Sequence, residues 1–176
     1  MLIQKYQERW VDDFNKLSNL IESHIFSREI TIEHVGSTAV EGLAAKPIID
    51  MDIIFKQSKS FPALKEDLEK LGYIHHGNQG IEGREVFKRR GSEPRHEILD
   101  SIRHHLYVCH EDSMEWKRHV AFRDFLRNNV KEKLKYEALK YQIAEEANQD
   151  RKLYAQLKEV RAREFIESII RKSDEK

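Results

Sequence analysis

The chain of 176 residues contains only one cysteine, three prolines and seven glycines. Its single cysteine, Cys109, excludes an internal disulfide and any zinc site built from cysteine pairs. No apolar run reaches the length of a signal sequence or of a membrane-spanning helix. We therefore expect a cytoplasmic protein without membrane contact.

An excess of positive charge is also absent, since 31 Lys and Arg residues balance 31 Asp and Glu residues. Proteins that bind nucleic acid through its phosphates usually carry a basic excess, so generic DNA or RNA binding is not expected. Hydrophobic residues make up 39% of the chain and charged residues 35%, which is typical of a folded domain. The length fits a single domain over residues 1–176.

The order of periodic segments predicts an α+β fold: a mixed β-sheet flanked by helices, with a helical C-terminal region. Apolar residues three or four apart predict helices over residues 8–26 and 61–71. Segments rich in β-branched and apolar residues predict strands over 30–35, 48–55, 73–76, 85–88 and 104–109. Residues 96–102 are ambiguous and fit a further strand in a hairpin. From Ser113 onward, glycine and proline are absent, which predicts helices over 113–128, 131–148 and 150–171. Residues 1–112 would thus form the mixed α/β core and 113–176 the helical region.

Two aspartates interrupt the most apolar predicted strand, Ile48-Ile49-Asp50-Met51-Asp52-Ile53-Ile54-Phe55. Residues two apart in a strand point to the same face, so the Asp50 and Asp52 carboxylates converge. Two carboxylates in an apolar strand are unfavourable unless a counter-charge neutralises them. Mg²⁺, or Mn²⁺ in its place, supplies that charge and prefers carboxylate oxygens together with substrate phosphates. The alternative is that the strand ends near Asp50 and water solvates both side chains.

A glycine follows the preceding predicted strand directly. Gly36 lets the backbone approach a phosphate closely, and Ser37 and Thr38 offer amide and hydroxyl donors at the start of a helical turn. Together with Asp-x-Asp in the next strand, this loop is suited to hold a triphosphate beside its metal ion. Lys46 and Arg84 are further candidate phosphate ligands, a point charge and a planar fork respectively. Plain solvation is the alternative for Lys46.

A Gly-Ser pair followed after a short spacer by Asp-x-Asp resembles the signature of the DNA polymerase beta-type nucleotidyltransferase superfamily. The longer stretch 32–50 is similar to the GrpB family, bacterial proteins assigned to that superfamily. The similarity continues through residues 80–84, 104–108, 116–126 and 136–140. The resemblance implies that Asp50 and Asp52 hold the metal and that Gly36 and Ser37 cradle phosphate.

The chain departs from the family pattern at two places. Glu41 stands where the family usually has proline, a loop change without expected consequence. Active superfamily members generally add a third carboxylate on a neighbouring strand, whereas the corresponding segment here is His105-Leu106-Tyr107. A neutral His105 can replace that acid as metal ligand or base. Family members often have His-Leu-His here, so Tyr107 excludes a two-histidine site.

Two pairs of residues spaced four apart share faces of the later helices: His119 with Arg123, and Tyr136 with Lys140. These faces are placed to close over the aspartates, with Lys140 reaching a β- or γ-phosphate. An ordinary surface or capping role is the alternative for each residue.

Two function hypotheses follow. The first is a Mg²⁺-dependent nucleotidyltransferase that moves a nucleoside monophosphate from an NTP to a small-molecule or protein acceptor, with Asp50, Asp52 and His105 as catalytic residues. The second is a catalytically inactive nucleotide- or metabolite-binding module with the same fold, which accounts for the missing third carboxylate. A purely structural scaffold would leave the aspartate pair unexplained.

Overall fold

A five-stranded mixed sheet lies at the centre of the computed structural model, which describes residues 2–26, 29–57, 60–89 and 94–174. The strands are β1 Ile30–Val35, β2 Ile49–Phe55, β3 Tyr73–His75, β4 Glu85–Arg89 and β5 His104–His110. Their order in the sheet is β1-β2-β5-β4-β3. The central strands β2 and β5 are parallel, and the other neighbouring pairs are antiparallel.

Six α-helices and one 3-10 turn, Ser37–Ala39, accompany these strands in the described part of the chain. The helices are α1 Arg9–His24, α2 Phe61–Lys70, α3 Glu97–Ser101, α4 Met114–Asn128, α5 Val130–Glu146 and α6 Arg151–Asp174. The hydroxyl of Ser113 caps α4 by accepting a hydrogen bond from the amide of Glu115. The predicted α+β fold with a helical C-terminal region is confirmed. None of the helices in the described ranges is long and apolar enough to cross a membrane.

The prediction of a further strand over residues 96–102 is wrong, because α3 occupies Glu97–Ser101. The carboxylate of Asp100 accepts a hydrogen bond from the amide of His96 at 2.7 Å and pairs with Arg89 of β4 at 2.6 Å. Leu99, on the same short helix, is buried in the core. These contacts close a helical turn against the sheet, which no local alternation of apolar residues indicated.

Alternate side chains of β2 and β5 point to opposite faces of the sheet, and one of these faces packs against the main apolar core. Met51 and Ile53 of β2 are fully buried in one apolar cluster with Leu106 and Val108 of β5 and with side chains of α1 and α2. The intervening residues of both strands point to the opposite face because side chains alternate along a strand. Helices α4, α5 and α6 pack around a second apolar cluster beside that face, with Tyr136 among its buried members.

Candidate functional site

The loop after β1 lies directly against Asp50. Gly36 has φ 73° and ψ −167°, a backbone conformation that is essentially restricted to glycine. A Cβ atom at this position would come within 2.5 Å of Oδ2 of Asp50. Glycine is therefore required both for the turn and for the close approach of the loop to the carboxylate.

The two aspartates of β2 have unequal surroundings. In the sheet register, Asp50 is opposite His105 of β5, and Asp52 is opposite Tyr107. The Asp50 side chain keeps 30% of its surface exposed and borders a cavity, whereas the Asp52 side chain is fully buried. Oδ2 of Asp52 accepts a hydrogen bond from His119 of α4, but Oδ1 is buried without a partner among the described residues.

His105 lies next to the first aspartate. Its Nδ1 is 2.8 Å from Oδ1 of Asp50, and 53% of its side chain is exposed. Its ring centroid is 6.3 Å from that of Tyr107 on the same face of the sheet. This contact orients the imidazole ring. When Nδ1–H donates to Asp50, Nε2 carries a free lone pair and is able to accept a proton. The role of His105 as ligand or base stays a prediction.

His119 is a site residue that the sequence analysis placed near the aspartates without a defined role. Its Nδ1 is 2.7 Å from Oδ2 of Asp52, and its Nε2 is 3.4 Å from Glu115. Burial by itself disfavours the charged imidazolium, but the hydrogen bonds to Asp52 and Glu115 outweigh it and raise the pKa of His119 to about 9. His119 is therefore a cation at neutral pH and neutralises the buried Asp52. The spacing of Glu115 and His119 by four residues was a local signal for their own contact, but not for the contact of His119 with Asp52.

A divalent cation fits the aspartate pair when the substrate completes its coordination. No group of three or more His, Cys, Asp or Glu side chains in the described segments is arranged to hold a metal by itself. Asp50 nevertheless turns Oδ2 toward the Gly36 loop, and the buried Oδ1 of Asp52 has no hydrogen-bond partner in the described part of the chain. Mg²⁺ commonly binds one or two carboxylates and takes its remaining ligands from phosphates and water. The donor set matches that pattern.

Lys140 of α5 reaches the Gly-Ser loop from above. Although only 1% of this residue is exposed, its Nζ donates hydrogen bonds to Oγ of Ser37 at 3.2 Å and to the carbonyl of Ala44. Burial, followed by the positive charge of Lys158, lowers the pKa of Lys140 well below its usual range. An anion bound at the loop would stabilise the charged form of this buried lysine, because it would provide a partner of opposite charge.

The remaining predicted phosphate ligands have different surroundings. The Arg84 guanidinium lies 4.7 Å from the centroid of the Tyr107 ring and borders the cavity. Lys46 also borders it and is not simply solvated, because its Nζ lies 3.9 Å from the centroid of the Tyr154 ring. Thr38 is buried, and its hydroxyl bonds to Nε2 of His34 at 3.0 Å and to a backbone carbonyl. The part of these residues in phosphate binding stays a prediction.

Arg123 contacts the end of β1 rather than the aspartates. Its guanidinium pairs with Glu33 at 2.6 Å and donates to the carbonyl of His34 at 2.9 Å. His119, four residues earlier, is the member of this pair that contacts Asp52. The shared helix face thus divides between the end of β1 and the site.

The cavity over this face has a volume of about 780 Å³ and lies between the sheet, the Gly-Ser loop and the C-terminal helices. Four carboxylates line it: Asp50, Glu115, Glu159 and Glu167. Eight basic side chains outnumber them: Lys46, Arg84, Arg103, Arg118, Lys140, Arg151, Lys158 and Arg163. The chain as a whole has no net charge, so the excess of basic over acidic side chains at this cavity is a local feature, and it favours an anionic ligand.

Comparison with solved structures identifies the class of fold. Cid1 poly(U) polymerase with MgGTP bound superposes with a TM-score of 0.52 at 14% identity, over 74% of this chain and 41% of that one. This likeness shows a nucleotidyltransferase-like fold. The conserved protein GrpB from Enterococcus faecalis is more similar, with a TM-score of 0.77 and 28% identity over 97% of this chain and 98% of that one.

The chain belongs to the GrpB family, since residues 1–172 match the family model described as GrpB protein. The glutamate-rich protein GrpB of Alkalihalophilus pseudofirmus is 30% identical over 97% of this chain and 94% of its own length. UPF0157 protein YqkA of Bacillus subtilis is 32% identical over 79% of this chain, which spans 38% of YqkA. The suspected membership is thereby confirmed.

Proposed function

We propose that this protein is a Mg²⁺-dependent nucleotidyltransferase that moves a nucleoside monophosphate from an NTP to a small-molecule or protein acceptor. The observation that carries this proposal is the position of Asp50 on a central strand, against the Gly36 loop and at the border of a cavity rich in basic residues, with Asp52 two residues further along the same strand. The solved structures of Cid1 with MgGTP and with MgATP support it, because this chain shares their fold.

The triphosphate would lie between the Gly36-Ser37 backbone and the cations of Lys140 and Arg84. Ser37 and Lys140 are already hydrogen-bonded to one another, so both groups are held at the same end of the cavity. Backbone amides and charged side chains that are fixed before binding stabilise phosphate charge with little reorganisation. Asp50 and Asp52 would hold Mg²⁺, which neutralises charge on the phosphates.

His105 would act as the base for the acceptor. With Nδ1–H donated to Asp50, Nε2 takes the proton of an acceptor hydroxyl as its oxygen attacks the α-phosphorus. The new bond joins that oxygen to the α-phosphorus, and the bond from the α-phosphorus to the bridging oxygen of the β-phosphate breaks. Pyrophosphate leaves with the electron pair of that bond.

A nucleotide-binding module without catalysis is the second candidate. One observation favours it: the strand beside β2 carries His105 and Tyr107 at the two positions that face the aspartates, and neither is a carboxylate. Such a module would keep the loop, the aspartates and the basic cavity, and it would bind Mg²⁺-NTP without turning it over.

Transfer of an α-labelled NTP to a panel of acceptors, with Mg²⁺ or Mn²⁺, tests the proposal. We expect Asp50→Asn to abolish transfer and His105→Ala to reduce it strongly, whereas the matched control Asp12→Asn, at an exposed position of α1, leaves it unchanged. Transfer that survives Asp50→Asn would refute the assigned site. Calorimetric NTP binding without any transfer would establish the binding module, and the absence of NTP binding would refute both candidates.

A further inference from the structure

Two groups can be distinguished among the basic residues of the cavity, and Lys158 lies near both, because its charge lowers the pKa of Lys140 as well as that of Lys46. Lys140 belongs to the end that holds Ser37. A second group, which we call the outer cation cluster, consists of Lys46, Arg103, Arg151 and Lys158. Lys46 precedes β2, Arg103 immediately precedes β5, and α6 supplies the other two. The cluster thus lies where β2 and β5 begin, next to the ends that carry Asp50 and His105.

No member of the outer cation cluster forms an ion pair with an aspartate or glutamate of the described residues. Other arginines of the chain do so, as Arg89 does with Asp100. Burial, and then the positive charges of Lys158, Arg151 and Arg103, lower the pKa of Lys46 to about 8. The other three members of the cluster thus repel the charge of Lys46, and an anion that binds beside Lys46 offsets this repulsion.

The charge of the cavity exceeds what one nucleotide neutralises. Among the described residues that line it, eight basic side chains face four carboxylates. A triphosphate that has bound Mg²⁺ brings only about two negative charges, so a positive excess remains for another anion. A phosphate monoester carries about −1.5 to −2 at neutral pH and matches that excess better than a single carboxylate does.

We propose that the acceptor is a small molecule with a phosphate monoester group, which Lys46, Arg103 and Arg151 bind while a hydroxyl of the same molecule faces His105. Arg103 is two residues from His105, and both side chains line the cavity, so an anion at the cluster lies at the acceptor end. The identity of this ligand as acceptor rests on the proposed function. The anion subsite itself rests on the cluster.

Calorimetry with two probes tests the subsite: an α,β-methylene NTP with Mg²⁺, and inorganic phosphate titrated onto the protein both with and without that analogue. The variant is Arg103→Gln with Arg151→Gln, and the control is Lys152→Gln, an exposed lysine adjacent to Arg151 that is not among the described residues lining the cavity. We expect phosphate to bind the complex of the protein with the analogue. The double variant should weaken the affinity for phosphate at least about tenfold, because two charged hydrogen-bond donors are lost. The affinity for the NTP analogue should change by less than about twofold in the double variant, and the control substitution should change neither affinity.

Three results would overturn the proposal: no phosphate binding to the wild type, acetate binding as tight as phosphate, or an analogue affinity that falls as far as the phosphate affinity. The last result would assign the cluster to the triphosphate. A different result separates the two proposals: if phosphate binds and depends on Arg103 and Arg151 while the analogue does not bind, the subsite stands and the proposed function fails. Unchanged thermal melting of the double variant confirms that it folds, which is expected because Arg103 and Arg151 are both exposed.

Discussion

Substitution of Gly36 by alanine tests whether the loop and Asp50 form one unit. The added Cβ would lie 2.5 Å from Oδ2 of Asp50 and 3.2 Å from its Cβ and Cγ, so the carboxylate must move. The backbone conformation costs a non-glycine residue about 1 to 3 kcal/mol, and overpacking adds about 1 to 3 kcal/mol. We therefore expect Gly36→Ala to lower the free energy of unfolding by about 2 to 6 kcal/mol.

A matched control separates these two contributions. Gly77 also has a positive φ, 68°, but a Cβ there would meet no atom of the described residues within 4 Å. Gly77→Ala should thus show a backbone cost alone, about 1 to 2 kcal/mol. Urea unfolding of both variants gives the difference. A double-mutant cycle with Asp50→Ala then assigns the excess to the carboxylate, because the cost of Gly36→Ala should fall in that background.

The reasoning would be refuted if Gly36→Ala were no more destabilising than Gly77→Ala. It would also be refuted if the excess persisted in full after Asp50→Ala. Either result would mean that the loop and the carboxylate move independently, and the proposed phosphate cradle beside the metal ligand would lose its structural basis.

Three further predictions concern a histidine, a thiol and a hydroxyl. Burial lowers the pKa of His34 to about 4 from about 6.5, so the folded state resists its protonation. The associated contribution to the free energy of unfolding, about 3 kcal/mol, is present above pH 6.5 and lost as the pH falls toward 4. Urea unfolding measures this pH profile, and His34→Gln should flatten it. Burial, followed by the charges of Asp52 and Glu115, raises the pKa of the Cys109 thiol to about 12. Iodoacetamide at pH 8 should therefore label this thiol only in the unfolded protein, as measured by mass spectrometry. Labelling of the native protein at the rate of the unfolded protein would contradict this. Ser37→Ala should weaken calorimetric binding of a Mg²⁺-NTP analogue by about 0.5 to 3 kcal/mol, and unchanged affinity would remove Ser37 from the site.

The fold class and the centre of the candidate site were predictable from local patterns. Alternation with a period of two placed Asp50 and Asp52 on one face of a strand, and the same rule placed His105 and Tyr107 on one face of its neighbour. Gly36 was recognisable because it directly follows a strand of β-branched residues. These features depend on residues that are close in sequence, where geometry allows few alternatives.

The partners of these residues were decided by tertiary packing. His119 contacts Asp52 across 67 positions of sequence, and Lys140 contacts Ser37 across 103, so no local period indicates either pair. The difference between Asp50 and Asp52 likewise arises because α4 covers one carboxylate and leaves the other at the cavity. Packing also made residues 97–101 a helix, since the contacts of Asp100 and Leu99 lie outside the segment. Sequence patterns determined which chemical groups occupy the strands, whereas the packing of distant helices determined the charge, burial and partners of each group.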